Sequence, residues 1–214
     1  MINLYNQDCL EAMKNMDDNS YDLAIVDPPY FSDYGEKNYT GNDISTTGIK
    51  RQTKKIKHWL VPDQEYFDQL IRVSKNQIIW GVNYYSKYIS SVGRIVWYKK
   101  NQTSTFSKCE IASHSFGVRV DFFQYRWNGM LQEDMKNKEQ RIHPTQKPIG
   151  LYAWILNNYA KENDKILDTH LGSGSIAIAC HNLGFDLDGY ELDVDYYEAA
   201  SKRLKEHQRQ LRLF

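Results

Sequence analysis

Three cysteines and five prolines are all this chain of 214 residues holds of either type. Cys9, Cys109 and Cys180 are scattered, odd in number and form no C-x-x-C pair. That speaks against a disulfide framework or a thiolate metal site, and no metal is expected. The thiols read as buried or incidental groups of a reducing compartment. An excess of one charge is missing too. Lys plus Arg and Asp plus Glu number 27 each, for a formal net charge of zero. Global charge therefore gives no sign of a polyanionic partner. No apolar run is long enough to cross a bilayer, and no signal-like stretch opens the chain. A cytoplasmic protein without a membrane partner is the expectation. There is no internal repeat and no low-complexity tract. The length suits one domain over residues 1–214, with a substantial core.

Strands and helices alternate along the chain. "INLYN" reads as a strand, "DCLEAMKNM" as a helix and "YDLAIV" as a second strand. Leu23, Ala24, Ile25 and Val26 are nearly continuous, as in a strand buried on both faces. Residues 32–61 read as loop. Pro62 and Asp63 open a helix with Tyr66, Phe67, Leu70 and Ile71 at helical spacing. "QIIWGV" and "RIVWYK" are two further strands, with a Tyr-rich helical turn between them. Residues 101–142 are less regular, with room for a strand in "VRVDFFQYRW". From Pro148 the order is helix, strand, Gly-rich turn, helix, strand and a last helix with Tyr197, Ala200, Leu204 and Leu211 on its buried face. This alternation predicts a doubly wound α/β fold, a mainly parallel sheet with helices on both faces.

Two strand ends carry chemistry. "LDTHLGSGSIAIAC" joins a strand end, a glycine turn and a helix start. Gly172 and Gly174 let backbone approach a ligand, and the next strand ends at Glu191, a carboxylate able to accept from both hydroxyls of a ribose. Together they indicate a nucleoside-containing cofactor without saying which. Gly172-x-Gly174-x-x-Ala177 also fits a loose dinucleotide fingerprint, so NAD is a rival. No Gly-Lys-Ser/Thr follows, which argues against a P-loop. The second strand end is "IVDPPYF", residues 25–31. Proline has no N–H for a ladder, so the strand stops at Asp27. A nucleobase amino group is a poor nucleophile, because its lone pair is delocalised into the ring. Asp27 and the Pro28 carbonyl offer two acceptors for its two N–H groups. Pro28 and Pro29 fix the direction, and Tyr30 offers a ring on which a base can stack.

"DPPY" with "DTHLGSGS" resembles the S-adenosylmethionine-dependent DNA amino-methyltransferases, and the order of the two resembles the β group. "NQDCLEAMKNMDDNSYDLAIVDPPY" and "RIHPTQKP" at residues 141–148 are similar to two further segments of that family. The resemblance covers residues 1–31 and 141–205 and is weaker between. It implies a Rossmann-like methyltransferase fold with circularly permuted motif order. It implies a catalytic Asp27-Pro28-Pro29-Tyr30 turn. It also implies that S-adenosyl-L-methionine is held by Asp8, Asp27, Lys147, Asp168, Gly172, Ser173, Gly174 and Glu191. The family turn usually reads Asp-Pro-Phe where this chain has Asp168-Thr169-His170. His143 reads as a packing or surface histidine rather than a base.

Double-stranded DNA is the expected partner despite the zero net charge. "IKRQTKKIKHW" carries Lys50, Arg51, Lys54, Lys55 and Lys57, and no acid lies between Ile44 and Pro62. "RIVWYKKNQTSTFSK" adds Lys99 and Lys100, again without an acid. Both stretches follow strand ends, where they can neutralise phosphates, so residues 32–61 and 101–142 are expected to contact DNA. Gln102, Trp127 and Asn128 are candidates to read or stack bases. The target base must be flipped out of the duplex. Asp at the head of the clamp favours adenine N6; cytosine N4 is the alternative, since enzymes of the family that act there more often carry Ser. RNA methylation and an NAD-dependent oxidoreductase remain rivals. A homodimer would help so small a protein span its site.

Overall fold

The computed structural model describes residues 1–31, 59–102, 107–128 and 131–210. Lys50, Arg51, Lys54, Lys55, Lys57 and Leu211 lie outside them. In chain order the strands are β1 (Ile2–Tyr5), β2 (Tyr21–Val26), β3 (Ser74–Trp80), β4 (Gly93–Tyr98), β5 (Cys109–His114), β6 (Val120–Gln124), β7 (Trp127–Asn128), β8 (Leu131–Gln132), β9 (Lys165–Asp168) and β10 (Asp186–Tyr190). The helices are α1 (Cys9–Lys14), α2 (Gln64–Val73), α3 (Val82–Tyr85), α4 (Ile149–Tyr159), α5 (Ser175–Leu183) and α6 (Val194–Arg209).

Eight strands form one sheet in the order β1-β10-β9-β2-β3-β5-β4-β6, and β7 pairs with β8 as a small hairpin. The run from β1 to β3 is parallel throughout. β5 lies antiparallel between β3 and β4, and β6 is parallel to β4. The carboxyl ends of β2, β3, β4, β6, β9 and β10 therefore share one edge. From β2 the chain winds outward through α2 to β3; from β9 it winds the other way through α5 to β10. The two halves meet between β2 and β9, and ligands bind at such a switch point, beyond the carboxyl ends of the strands.

The apolar run of β2 shows why the sheet is covered on both sides. Leu23 and Ile25 join the core formed with Leu151 and Ile155 of α4, Ile176 and Ala179 of α5, and Ala200 and Leu204 of α6. Ala24 and Val26 join a second core with Met13 of α1 and Tyr66, Phe67 and Leu70 of α2. Alternate residues of one strand thus serve opposite faces, as a parallel sheet between helix layers requires. The Asp63 carboxylate caps α2 by accepting from the Tyr66 N–H at 3.4 Å. The helix passes straight into β3, with the Ser74 hydroxyl donating to the Leu70 carbonyl at 2.5 Å.

Several expectations are corrected. The strand expected within "VRVDFFQYRW" is β6, but the described part of residues 101–142 is more regular than expected: β5 also joins the main sheet, and β7 pairs with β8. "CEIASH" went unrecognised because its polar residues hide a strand that is buried at Ala112, Ser113 and His114. Ile71 is exposed, and Val73 takes the buried position on α2. On α6 Tyr196, not Tyr197, is buried with Ala200 and Leu204.

Candidate active site

β2 ends at Val26, and Asp27 follows at the shared edge, its carboxylate 15% exposed. One carboxylate oxygen, Oδ1, accepts from the Tyr30 hydroxyl at 2.5 Å. The other, Oδ2, accepts from the Lys147 ammonium. Lys147 is buried, and its Nζ also lies 3.0 Å from Glu110 Oε2. Glu110 Oε1 in turn accepts from Lys99. The four groups alternate in sign: Lys99, Glu110, Lys147, Asp27. Burial works against the charge on Lys147, but Asp27 and Glu110 outweigh it and hold its pKa above the ordinary lysine value. Burial likewise opposes the charge on Glu110, but Lys147 and Lys99 outweigh it and hold its pKa below the usual carboxylate range. The two central members, Glu110 and Lys147, are thus each flanked by groups of opposite sign.

The rest of the turn is held by aromatic groups. Pro28 is buried and Pro29 half-buried. The Pro29 carbonyl accepts from the Tyr85 hydroxyl, while the Pro28 carbonyl takes no donor among the described residues. The Tyr30 ring does not stand open as expected: it stacks on Tyr84, with centroids 4.7 Å apart and planes 13° from parallel. Phe31 meets Tyr84 edge-on at 5.1 Å. Gly81 lies so close that a Cβ there would sit 2.0 Å from Tyr30 Cε1, and its φ of +74° already favours glycine.

The glycine turn lies at the end of the neighbouring strand, β9. Glu191 staples it: Oε2 accepts from the Gly172 N–H at 2.8 Å and Oε1 from the Asp193 N–H at 2.9 Å. Burial raises its pKa. Gly172 and Gly174 have φ of +52° and +69°. A Cβ at Gly174 would meet Ala200 of α6 at 3.2 Å, so this glycine serves helix packing as well as the turn. Ser173 is buried; its hydroxyl lies 3.1 Å from that of Ser175, and its carbonyl accepts from Arg203 at 2.9 Å. Asp168 is buried, with Oδ1 accepting from the His170 N–H at 3.0 Å. Burial, then Asp27 and Glu191, push its pKa up to about 8. Asp8 caps α1, accepting from the Leu10 N–H at 2.8 Å, and its charge reaches His170.

The departure at His170 has a local explanation. The Tyr66 hydroxyl lies 2.6 Å from Thr169 Oγ1, which lies 2.9 Å from His170 Nδ1. Tyr66 also meets the imidazole edge-on at 5.4 Å. Burial pushes the His170 pKa down to about 4, so the ring is neutral near pH 7. His143 packs between Trp59, stacked at 5.5 Å, and Tyr196, edge-on at 4.3 Å.

The fold thus gathers Asp8, Asp27, Lys147, Asp168, Gly172, Gly174 and Glu191 around the switch point. Lys99 and Lys100 end up elsewhere: Lys99 is consumed by Glu110, and Lys100 pairs with Glu133 at 2.9 Å. The absence of acids nearby in sequence did not carry over into space. Trp127 is buried with its indole N–H donating to the Gln146 carbonyl at 2.7 Å. Glu110, Tyr84, Tyr85 and Tyr152 were not singled out from sequence. Tyr152 is buried on α4, its pKa raised by burial and then by Asp168, Asp27 and Glu110. Only the Tyr pair after Gly81 offered a visible signal.

Two outcomes follow from this geometry. Gly81→Ala should lower stability by roughly 1–3 kcal/mol, the usual range for overpacking, and should displace Tyr30; denaturant unfolding and tyrosine fluorescence check both. Asp168 binds its proton more tightly folded than unfolded. Folding therefore takes up a proton between about pH 4 and pH 8, and stability falls as pH rises through that window. Asp168→Asn should remove this loss and melt several degrees higher than the parent at pH 8, with little gap at pH 4. Parallel melting curves at both pH values would contradict the raised pKa.

A family model described as DNA methylase matches residues 65–202. Among similar proteins, the type II methyltransferase M2.MboI of Moraxella bovis is 25% identical over 242 residues, spanning 96% of this chain and 88% of its own. M.HinfI of Haemophilus influenzae is 25% identical over 240 residues, spanning 93% and 67%. The crystal structure of an M1.HpyAVI–SAM complex aligns with a TM-score of 0.59 at 21% identity, over 95% of this chain and all of that one. The cytosine-N4-specific PvuII DNA methyltransferase aligns with a TM-score of 0.61 at 12% identity, over 96% and 90%. A model matched across most of the chain, from α2 to α6 and including the glycine turn, places this protein in the N6/N4 DNA methylase family.

Proposed function

We propose that this DNA methyltransferase moves a methyl group from S-adenosyl-L-methionine to adenine N6 of a flipped-out base in double-stranded DNA. The observation that carries the reading is the placement of the Asp27 turn and the glycine turn on adjacent strands at the switch point, with Asp27 fixed by Lys147.

The donor set fits this cofactor. Asp168, with one carboxylate oxygen taking no donor among the described residues, suits a cationic group. Each Glu191 oxygen holds one backbone N–H and keeps acceptor capacity for ribose hydroxyls. A pyrophosphate fits poorly, because the Gly172 N–H already serves Glu191 and two carboxylates would face the anion. That disfavours NAD. Asp8, Asp27, Lys147, Asp168, Gly172, Ser173, Gly174 and Glu191 are the residues proposed to surround the cofactor. When bound, it supplies an electrophilic methyl group on a sulfonium.

The protein's part is positioning and hydrogen bonding. Asp27 and the Pro28 carbonyl accept from the two N6–H bonds, which favours a pyramidal nitrogen with a localised lone pair. A carboxylate has about four acceptor sites, and only two on Asp27 are used by Tyr30 and Lys147. Lys147, itself paired with Glu110, holds the Asp27 carboxylate in place for this work. After transfer the amine is a cation and gives its proton to water or to Asp27. Tyr30, backed by Tyr84, forms an aromatic wall for the base. Asp27 rather than Ser at the head of the turn supports adenine.

The test is incubation with S-adenosylmethionine and unmethylated bacterial DNA, digestion to nucleosides and mass spectrometry. N6-methyladenine is expected, with Asp27→Ala inactive. N4-methylcytosine would keep the mechanism and overturn the base assignment; methylated RNA alone would overturn the choice of DNA. Lys147→Met should lose on the order of a hundredfold in kcat, with partial recovery in Lys147→Arg. Equal loss in both, matched by loss of folded protein, would reduce Lys147 to a structural role.

A further inference from the structure

The described residues form an open concavity, about 420 Å³ in volume, lined by Tyr98, Lys100, Gln102, Gln124 and Arg126. It lies where β4 and β6 end side by side, with Tyr98 opposite Gln124 in register. Because β4 and β6 run parallel to β2, it opens on the same sheet edge as Asp27. Strands stand about 4.8 Å apart, so β4 and β6 lie roughly 14 and 19 Å from β2. With a rise of about 3.4 Å per base pair, that is the span of a few steps along a duplex from a flipped-out base.

Its lining is chemically mixed in a way that suits base edges next to phosphates. No hydrogen bond or ion pair among the described residues engages the side chains of Gln102, Gln124 or Arg126, and all three are exposed. A glutamine amide matches the N6 and N7 edge of adenine in the major groove, and an arginine matches guanine or a phosphate. Tyr98, stacked with Phe122 at 6.3 Å, supplies an aromatic floor. One acid is present: Glu133 pairs with Lys100 at 2.9 Å and accepts from the Arg126 backbone N–H at 2.7 Å. It pairs with Lys100 and also feels the charge of Arg126, whose guanidinium makes no ion pair among the described residues.

We propose that this cleft reads the recognition sequence, Gln124 and Gln102 contacting a base edge about four to six steps from the target and Arg126 contacting guanine or phosphate. The inference rests on the DNA-methyltransferase reading above. It is tested by methylating bacterial DNA with the parent, Gln102→Ala, Gln124→Ala and Arg126→Ala, mapping the modified sites by single-molecule sequencing, and measuring duplex binding against salt. The expected result is modification of the same base type by a glutamine variant, with roughly tenfold or greater loss of discrimination at one flanking position. Arg126→Ala should either relax one position or reduce the salt slope of binding by about one. Active variants with the parent motif and the parent salt slope would overturn the cleft and leave the methyltransferase intact. A parent that methylates no DNA would overturn the underlying reading and this inference with it. The side chains replaced are exposed and unpaired among the described residues, so the variants should fold.

Discussion

The ion pair between Lys147 and Asp27 joins the two ends of the protein's chemistry. It spans 120 residues of sequence and links the segment before α4 to the turn after β2. An ammonium this deeply buried is tolerated only with carboxylates in contact, and Asp27 and Glu110 both supply one. Removing one partner from such an arrangement typically costs about 3–5 kcal/mol, because the remaining charge is stranded. The pair therefore constrains folding and chemistry at once. It fixes the position of a carboxylate at a strand end, and it draws on β5, which carries Glu110 and lies next to β4, which leads to Lys99. The antiparallel insertion of β5 into an otherwise mostly parallel sheet is what places Glu110 there.

The winding of the sheet explains why motifs far apart in the chain cooperate. β2 and β9 are neighbours although residues 27 and 168 lie at opposite ends of the sequence. Everything beyond their carboxyl ends falls in one crevice, whichever half of the chain comes first. A permuted motif order therefore changes the connections and not the site. Asp168 illustrates the electrostatics of the crevice. Two carboxylates, Asp27 and Glu191, act on Asp168 there against a single buried lysine. The group with the least hydrogen bonding, Asp168, is the one pushed up to about 8. A cationic group beside Asp168 would favour its ionised form.

Much of this was legible in the sequence, for physical reasons that differ by region. The apolar run of β2 and its end at Asp27 follow from proline chemistry and burial on two faces. The glycine turn was legible because φ of +52° and +69° needs glycine. The strand at residues 109–114 was not legible, since its burial comes from cross-strand neighbours, and His114 and Ser113 do not announce it. Nor was the destination of Lys99 and Lys100. A run without acids says only what lies nearby along the chain, whereas Glu110 and Glu133 arrive through sheet pairing and the β7–β8 hairpin. Tyr30 was identified as an aromatic surface, but its partner Tyr84 came from the far side of Gly81.

These pairings bear on how a protein of zero net charge can hold a polyanion. Lys99 is spent internally and Lys100 is matched by Glu133, so neither can release counterions from DNA without first giving up a carboxylate. Nonspecific affinity gained at this edge is correspondingly small. Specific contacts then matter more, because a side chain with unused hydrogen-bonding groups, such as Gln124, loses only water when it meets a base edge. At this part of the sheet edge, geometry rather than the charge of Lys99 and Lys100 would then decide which sequence is held. Among the described residues the lysines nearest the Asp27 turn are committed to carboxylates, Lys147 to Asp27 itself and Lys99 to Glu110.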